Sequence, residues 1–186
     1  MPPTPTLYTP RLLLRPLHVA DAADCQRLFA QWEVVRYLTH HVPWPYPPGE
    51  ALRHIREDAL PAMADGEEWH WSLRLRTPGQ PLVGVICVMD EADNQRGFWL
   101  DPQWHRQGLM SEACAVVNRF WFETLGRPCL RVSKASLNEA SRRLSLAEGM
   151  RLVERRQDQY VSGPMEEEIW ELTREAWQAR TTRDRS

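Results

Sequence analysis

Apolar positions along the chain fall into short blocks that alternate between strand-like and helix-like spacing, the pattern of a mixed α/β protein. Arg11-Leu-Leu-Leu-Arg-Pro-Leu17 reads as a short strand, and Asp21 or Asp24 can cap a helix through Cys25, Leu28, Phe29 and Trp32. The prolines between Val42 and Gly49 lack amide donors and restrict the residues before them, so an ordered loop or a lid is expected there. Leu52, Ile55, Ala59, Leu60 and Met63 then place a helix from Glu50 to about Ala64, ended by Asp65 and Gly66. Trp69, Trp71, Leu73 and Leu75 alternate with polar residues, and the turn from Pro78 to Pro81 leads into the apolar run from Leu82 to Met89, an antiparallel hairpin. Gly97 to Leu100 supplies a third strand of this meander. From Met110, the residues Ala113, Cys114, Val117, Phe120, Trp121 and Leu125 fall at helical spacing, with Gly126 as the stop. A strand at Leu130 and Val132 follows, then a helix capped by Asn138 and running to Gly149. Two more strands lie near residues 152–156 and 169–173, and Thr181 to Ser186 read as a frayed polar tail.

Composition narrows the class. A chain of 186 residues, 42% hydrophobic, fits one soluble domain that buries roughly 70% of its unfolded surface and needs neither metal nor disulfide to fold. Lysine and arginine total 23 against 25 acidic residues, which gives no basic field for nucleic acid. Lys134 is the only lysine. The four cysteines share no C-x-x-C spacing and sit in apolar runs, which suits a reducing compartment. The start of the chain lacks a signal-peptide pattern and no stretch is apolar enough to span a membrane, so a cytoplasmic protein without a membrane partner is expected. The nine tryptophans fit either a core or an aromatic-lined pocket.

The segment from Trp99 to Ala113 carries the candidate chemistry. It passes from an apolar strand through a polar turn into the amphipathic helix, so the amides of residues 106–110 can converge on one point. Helix-start amides carry partial positive charge and suit a pyrophosphate, and Gly108 would let the backbone approach it closely. A turn that merely needs a glycine explains the same residues.

Four motifs together resemble the GNAT acyltransferase superfamily, in the RimJ/RimL-type branch related to ribosomal-protein N-terminal acetyltransferases. They are Thr9-Pro-Arg-Leu-Leu-Leu-Arg-Pro-Leu17, Gly97-Phe-Trp-Leu-Asp-Pro102, His105-Arg-Gln-Gly-Leu-Met-Ser-Glu-Ala113, and Asn138-Glu-Ala-Ser141 leading to Glu148-Gly-Met150. The likeness spans about residues 7–177. It implies a single α+β domain built on a mixed, largely antiparallel sheet of about seven strands, with a splayed parallel pair and flanking helices. The family's loop pattern, Arg/Gln-x-x-Gly-x-Gly/Ala, aligns with His105, Arg106, Gln107, Gly108, Leu109 and Met110, which departs from it at both ends.

The resemblance further implies direct transfer of an acetyl group from acetyl-CoA to a primary amine, of a small molecule or a peptide N-terminus, with no acyl-enzyme and no metal. Trp99 and Leu100 occupy the strand that would hold the pantetheine, with the Leu100 backbone as the expected oxyanion donor. Asn138 would orient the pantetheine, and Ser141 would return a proton to the sulfur. A helix-surface serine is the plainer reading of Ser141, and Tyr160 is the rival donor. Arg142 and Arg143 are further phosphate candidates, although unpartnered surface arginines are commoner. His40, His41, Glu33, Asp90, Glu91 and Asp93 are each better read as solvated groups than as the base, so none is assigned. Trp44, Trp69 and Trp71 are candidate walls of an acceptor pocket; alternation alone would make Trp69 or Trp71 core and leave Trp44 packed on the surface. Homodimers occur in the branch, but no stripe marks an interface here. The competing class is a coenzyme-binding sensor or partner-binding module without turnover.

Overall fold

The computed structural model describes residues 1–183. Strands β1 (Leu7–Tyr8) and β2 (Leu12–Pro16) lead through a tight turn (Val19–Asp21) into helices α1 (Ala22–Phe29) and α2 (Trp32–Val35). After the proline-rich loop, α3 (Glu50–Arg53) continues through a π-helical turn (His54–Ala59) into α4 (Leu60–Asp65). Strands β3 (Glu68–Leu75), β4 (Leu82–Met89) and β5 (Arg96–Leu100) precede α5 (Leu109–Arg119), which widens into a second π-helical turn (Phe120–Thr124). The chain closes with β6 (Cys129–Ala135), α6 (Glu139–Glu148), β7 (Arg151–Tyr160), β8 (Gly163–Thr173) and α7 (Arg174–Arg183).

The strands form two sheets, ordered β1-β2-β3-β4-β5 and β6-β8-β7, with antiparallel neighbours in both. This is the expected α+β architecture with eight strands instead of about seven. Alternation sorts the core into two layers. Trp69, Trp71, Leu73, Ile86 and Val88 pack with Phe120 and Trp121 on the α5 side. Leu82 and Val85 pack with Cys25, Leu28 and Ile55 of the helices on the other side.

Several elements differ from the periodicity for identifiable reasons. The first helix stops at Phe29, where the Gln31 side chain folds back and donates its Nε2 to the Leu28 carbonyl at 2.7 Å. Asp21 does not cap α1 with its side chain; it is buried, accepts the His18 amide at 3.0 Å and pairs with Arg15 and Arg74. The π-helical turn in the second helical segment precedes Pro61, whose ring cannot lie against the carbonyl four residues earlier. Strands β7 and β8 run longer than their apolar residues suggest, because Arg155 and Arg156 pair across the ladder with Glu168 and Glu167. Thr181 and Thr182 lie in α7 and are not a frayed tail, whereas Asp184 to Ser186 fall outside the described residues. Among the described residues, no helix is long and apolar enough to cross a membrane.

Candidate active site

The two sheets meet at the start of β5. There Gln95 donates its amide to the Arg131 carbonyl at 2.8 Å, and the Arg131 amide donates to the Gln95 side chain at 2.7 Å. Beyond this junction no ladder joins β5 to β6, and a gap of about 120 Å³ opens between them. The Asp101 amide donates to Val83 at 2.8 Å and the Gln95 carbonyl accepts from Met89 at 3.1 Å, so odd-numbered residues of β5 turn their main-chain groups toward β4. By the same alternation the amides of Phe98, which lines the gap, and of Leu100 point away from β4, toward the β6 side. Trp99 is corrected on this account: its main chain belongs to the ladder opposite Val85, and what it contributes is a side chain on the other face.

The turn after β5 is fixed by its own side chains. His105 Nε2 lies 2.8 Å from the Leu100 carbonyl, which can only accept, so this nitrogen carries the proton and clasps the strand end. Gln107 donates to the Gln103 carbonyl at 3.1 Å. Arg106 and Gly108 both take left-handed backbone, with φ of 59° and 77°, which turns the chain abruptly into α5. The first intrahelical bond runs from the Glu112 amide to the Gly108 carbonyl, leaving the amides of Leu109, Met110 and Ser111 without helical partners. The side chains of Leu109 and Met110 pack on the core, so only their main chain can serve a ligand. Arg11 stands beside this cradle, its guanidinium next to the open face of Gly108 and 2.6 Å from Glu112.

Asn138, Ser141 and Tyr160 all line the gap. The Asn138 side-chain oxygen accepts the Ser141 amide at 3.2 Å as the cap of α6, which leaves its NH2 group for a ligand. Tyr160 is buried and donates to Glu167 at 3.4 Å; burial and the Glu167 charge push its phenol up, so it stays protonated. Lys134 donates to the Ser141 carbonyl at 3.3 Å and to the Ser145 hydroxyl, and burial, with Arg96 nearby, brings its amine down to about 7. Behind the gap, buried Arg96 makes a two-pronged pair with Glu148, at 2.8 and 2.7 Å, and bonds Asn118 at 2.6 Å. Burial alone would raise the Glu148 carboxyl, but Arg96 and Asn118 hold it low. Arg142 is tied by Nε to buried Glu168 at 2.9 Å, which anchors it to the sheet.

A second cavity, about 180 Å³, lies on the opposite side of β5, between that strand and the helices α1 and α3. Phe29, Tyr46 and Trp99 give it aromatic walls, and His54 and His70 are polar groups in its lining. Phe29 packs edge-on against both Tyr46 and Trp99, at 4.9 and 5.4 Å between ring centres. His70 contacts Glu68, and His54 lies 3.0 Å from Asp58. Gly97 and Phe98 line both cavities, so the two spaces adjoin across β5. Burial pushes the thiols of Cys25, Cys87 and Cys114 up to about 12, so they remain un-ionised at neutral pH. Among the described residues, no three histidine, cysteine or acidic side chains converge as a metal site requires.

Comparison with known proteins decides the family. The acetyltransferase (GNAT) domain family matches residues 11–151, more than half of the chain. The chain belongs to the GNAT acetyltransferase family. No curated protein matches it by sequence. Its fold is shared by solved structures of low identity. One is the ribosomal-protein alpha-N-acetyltransferase RimL in complex with coenzyme A, with TM-score 0.77 and 15% identity over 93% of this chain and 98% of that one. A ribosomal-protein alanine acetyltransferase from Vibrio fischeri gives TM-score 0.73 and 14% identity over 92% and 98% of the two chains. A GNAT-family acetyltransferase from Bacillus anthracis gives TM-score 0.74 and 18% identity over 91% and 99%.

In this GNAT acetyltransferase the tryptophans expected to wall an acceptor pocket do not line the aromatic cavity. Trp69 and Trp71 are fully buried on the α5 face, stack edge-on against Phe120 and donate their indole N–H groups to Pro2 and Pro5 carbonyls. Trp44 is 41% exposed, packs against Trp32 and lines neither cavity. The residue between the two core tryptophans, His70, faces the cavity because strand side chains alternate. That alternation was the one available signal for His70; nothing in the spacing pointed to Phe29 or Arg11. Asp90 and Asp93 are engaged by Arg127, Arg131 and Arg156, and His40 and His41 stack on each other in an exposed loop.

Proposed function

We propose that this acetyltransferase moves the acetyl group of acetyl-CoA directly to a primary amine, carried by a small molecule or a peptide N-terminus. Acetyl-CoA is consumed in each turnover and supplies an activated acetyl thioester. The observation that carries the reading is the opened edge of β5, whose Phe98 and Leu100 amides turn away from β4 toward the side on which the gap opens, one turn before the donor-rich start of α5. The turn amides from Arg106 to Met110 cradle the pyrophosphate, with Arg11 and Arg106 adding charge, and Asn138 holds the pantetheine arm through its free NH2. His105 acts by fixing the Leu100 carbonyl, which keeps the adjoining amides turned toward that side.

The Leu100 amide stabilises the oxyanion that develops on the acetyl carbonyl, an effect worth about 3 kcal/mol when the donor is preorganised. Ser141 returns a proton to the departing sulfur. Tyr160 is the second donor on the same gap, less available because its hydroxyl is engaged by Glu167. The acceptor enters from the cavity walled by Phe29, Tyr46 and Trp99 and meets the thioester across Gly97 and Phe98. The ribosomal proteins named for two structural neighbours support a peptide N-terminus as one form of this acceptor.

Calorimetric titration with acetyl-CoA, followed by free-thiol release with small amines and short peptides, tests the reading. Binding with amine-dependent thiol release is expected. Absence of binding would overturn it, and binding without release from any amine would leave a sensor in its place.

A further inference from the structure

His70, Cys87 and Gly97 lie in register across β3, β4 and β5, and strand alternation puts them on one face with Trp99. Gly97 adds no side chain to that row, and a Cβ there would meet the Cys87 sulfur at 3.2 Å. The row lines one cavity, with the His70 ring at one end, the Cys87 side chain between, and Gly97 at the strand edge where the gap begins. Two strand spacings, about 10 Å, separate the ends of the row, a distance that the imidazole and one bridging water can span. His70 is buried, and its Nε2 faces the Glu68 carboxylate, so Nε2 carries the proton and Nδ1 is the basic nitrogen. The pair has the orientation that makes a histidine a proton acceptor: a carboxylate fixes the tautomer and stabilises the charge that forms.

We propose that His70, held by Glu68, receives the ammonium proton of an acceptor amine whose aromatic or apolar body fills the cavity between Phe29, Tyr46 and Trp99. The inference rests on the acetyltransfer reading above. Walls of this kind bind an apolar body, and their ring faces accept a cation before it is deprotonated. The ammonium gives one proton to His70, which releases it to solvent. The neutral amine nitrogen forms the C–N bond, the C–S bond of the thioester breaks, and the remaining surplus proton on nitrogen passes through Ser141 and water to the sulfur. The products are the amide and the free thiol. The other titratable groups facing His70 are His54 and Asp58 on the helix, Cys87 on β4, Cys25 on α1 and Tyr46 in the loop, with Glu91 behind Glu68.

The test uses the full chain, acetyl-CoA and 2-phenylethylamine. His70→Gln is expected to lower kcat/KM by about 100-fold at neutral pH and to remove the ascending limb of the pH profile, with acetyl-CoA affinity unchanged. Free imidazole should restore part of the activity of His70→Ala, which a purely structural histidine would not allow. Glu68→Gln should move the ascending limb to lower pH, because an imidazolium without its carboxylate loses its proton more readily. Retained rate and limb in His70→Gln would overturn the proposal. If His70→Gln fails to fold, a Glu68→Gln profile superimposed on the wild type would overturn it instead. Wild-type protein that binds acetyl-CoA and acetylates other amines but not 2-phenylethylamine would overturn the assigned acceptor class. Absence of acetyl-CoA binding by the wild type would fault the acetyltransfer reading itself.

Discussion

Strand β5 serves two cavities with different materials. Toward β6 it offers main-chain donors, the amides of Phe98 and Leu100, joined by further amides at the start of α5. Toward α1 and α3 it offers side chains, with Trp99 packed on Phe29 and Gly97 in the row that ends at His70. Main-chain donors suit the part of a reaction that stays constant, because a substitution does not remove an amide. Side-chain walls suit the part that must discriminate. The gap is also braced by buried charge, Arg96 with Glu148 and Lys134 with Ser145, whereas the acceptor side is braced by aromatic edges.

That contrast can be broken at its support. Glu148→Gln leaves Arg96 with a buried, uncompensated charge and should cost about 3 kcal/mol of stability, read as a lower denaturant midpoint in urea. The proposed acceptor cavity, whose aromatic walls Phe29, Tyr46 and Trp99 belong to the other face of β5, should keep its ligand preference in the fraction that remains folded.

A narrower break acts on the gap alone. Gly108→Trp strains a left-handed position and blocks the cradle, and losing two charge-assisted hydrogen bonds predicts about 100-fold weaker acetyl-CoA binding by calorimetry. Circular dichroism of the variant should match the wild type. Ser141→Ala should lower kcat by about 30-fold with little change in the KM for acetyl-CoA, since a proton donor acts in the transition state. An equal loss in Tyr160→Phe, with none in Ser141→Ala, would move the proton donor to the tyrosine.

The last test is a pH dependence. Lys134 titrates near 7 in the fold and about 10.5 when free, so between these values the unfolded chain binds more protons than the native one. Stability contributed by this group should therefore rise as pH increases through that window. Lys134→Met should flatten the rise, measured as denaturant midpoints across pH.

The same contrast explains what could be read in the sequence. The coenzyme side is local: a strand, a turn with Gly108 and an amphipathic helix follow one another within residues 96–119, so periodicity and a single glycine reveal it. Asn138 and Ser141 were accessible because the four-residue helix start that they bound repeats a family spacing. The second cavity is assembled from α1, the proline-rich loop, α3, β3, β4 and β5, and periodicity within one element says nothing of such meetings. Trp69 and Trp71 drew attention as aromatic residues, yet alternation buries them and turns the less conspicuous His70 to the cavity. The pairs of buried Arg96 with Glu148 and of Arg142 with buried Glu168 were equally hidden, because a paired arginine and an unpaired one look alike in sequence.

The central claim is that main-chain amides at the opened strand edge receive the acetyl-CoA. Amide hydrogen exchange, measured by NMR with and without acetyl-CoA, tests it most directly. The account predicts that the amides of Phe98 and Leu100 and those of residues 106–111 gain protection on binding, while the core amides of β3 change little. Protection elsewhere on the surface, with the β5 edge and the α5 start still exchanging freely, would contradict it.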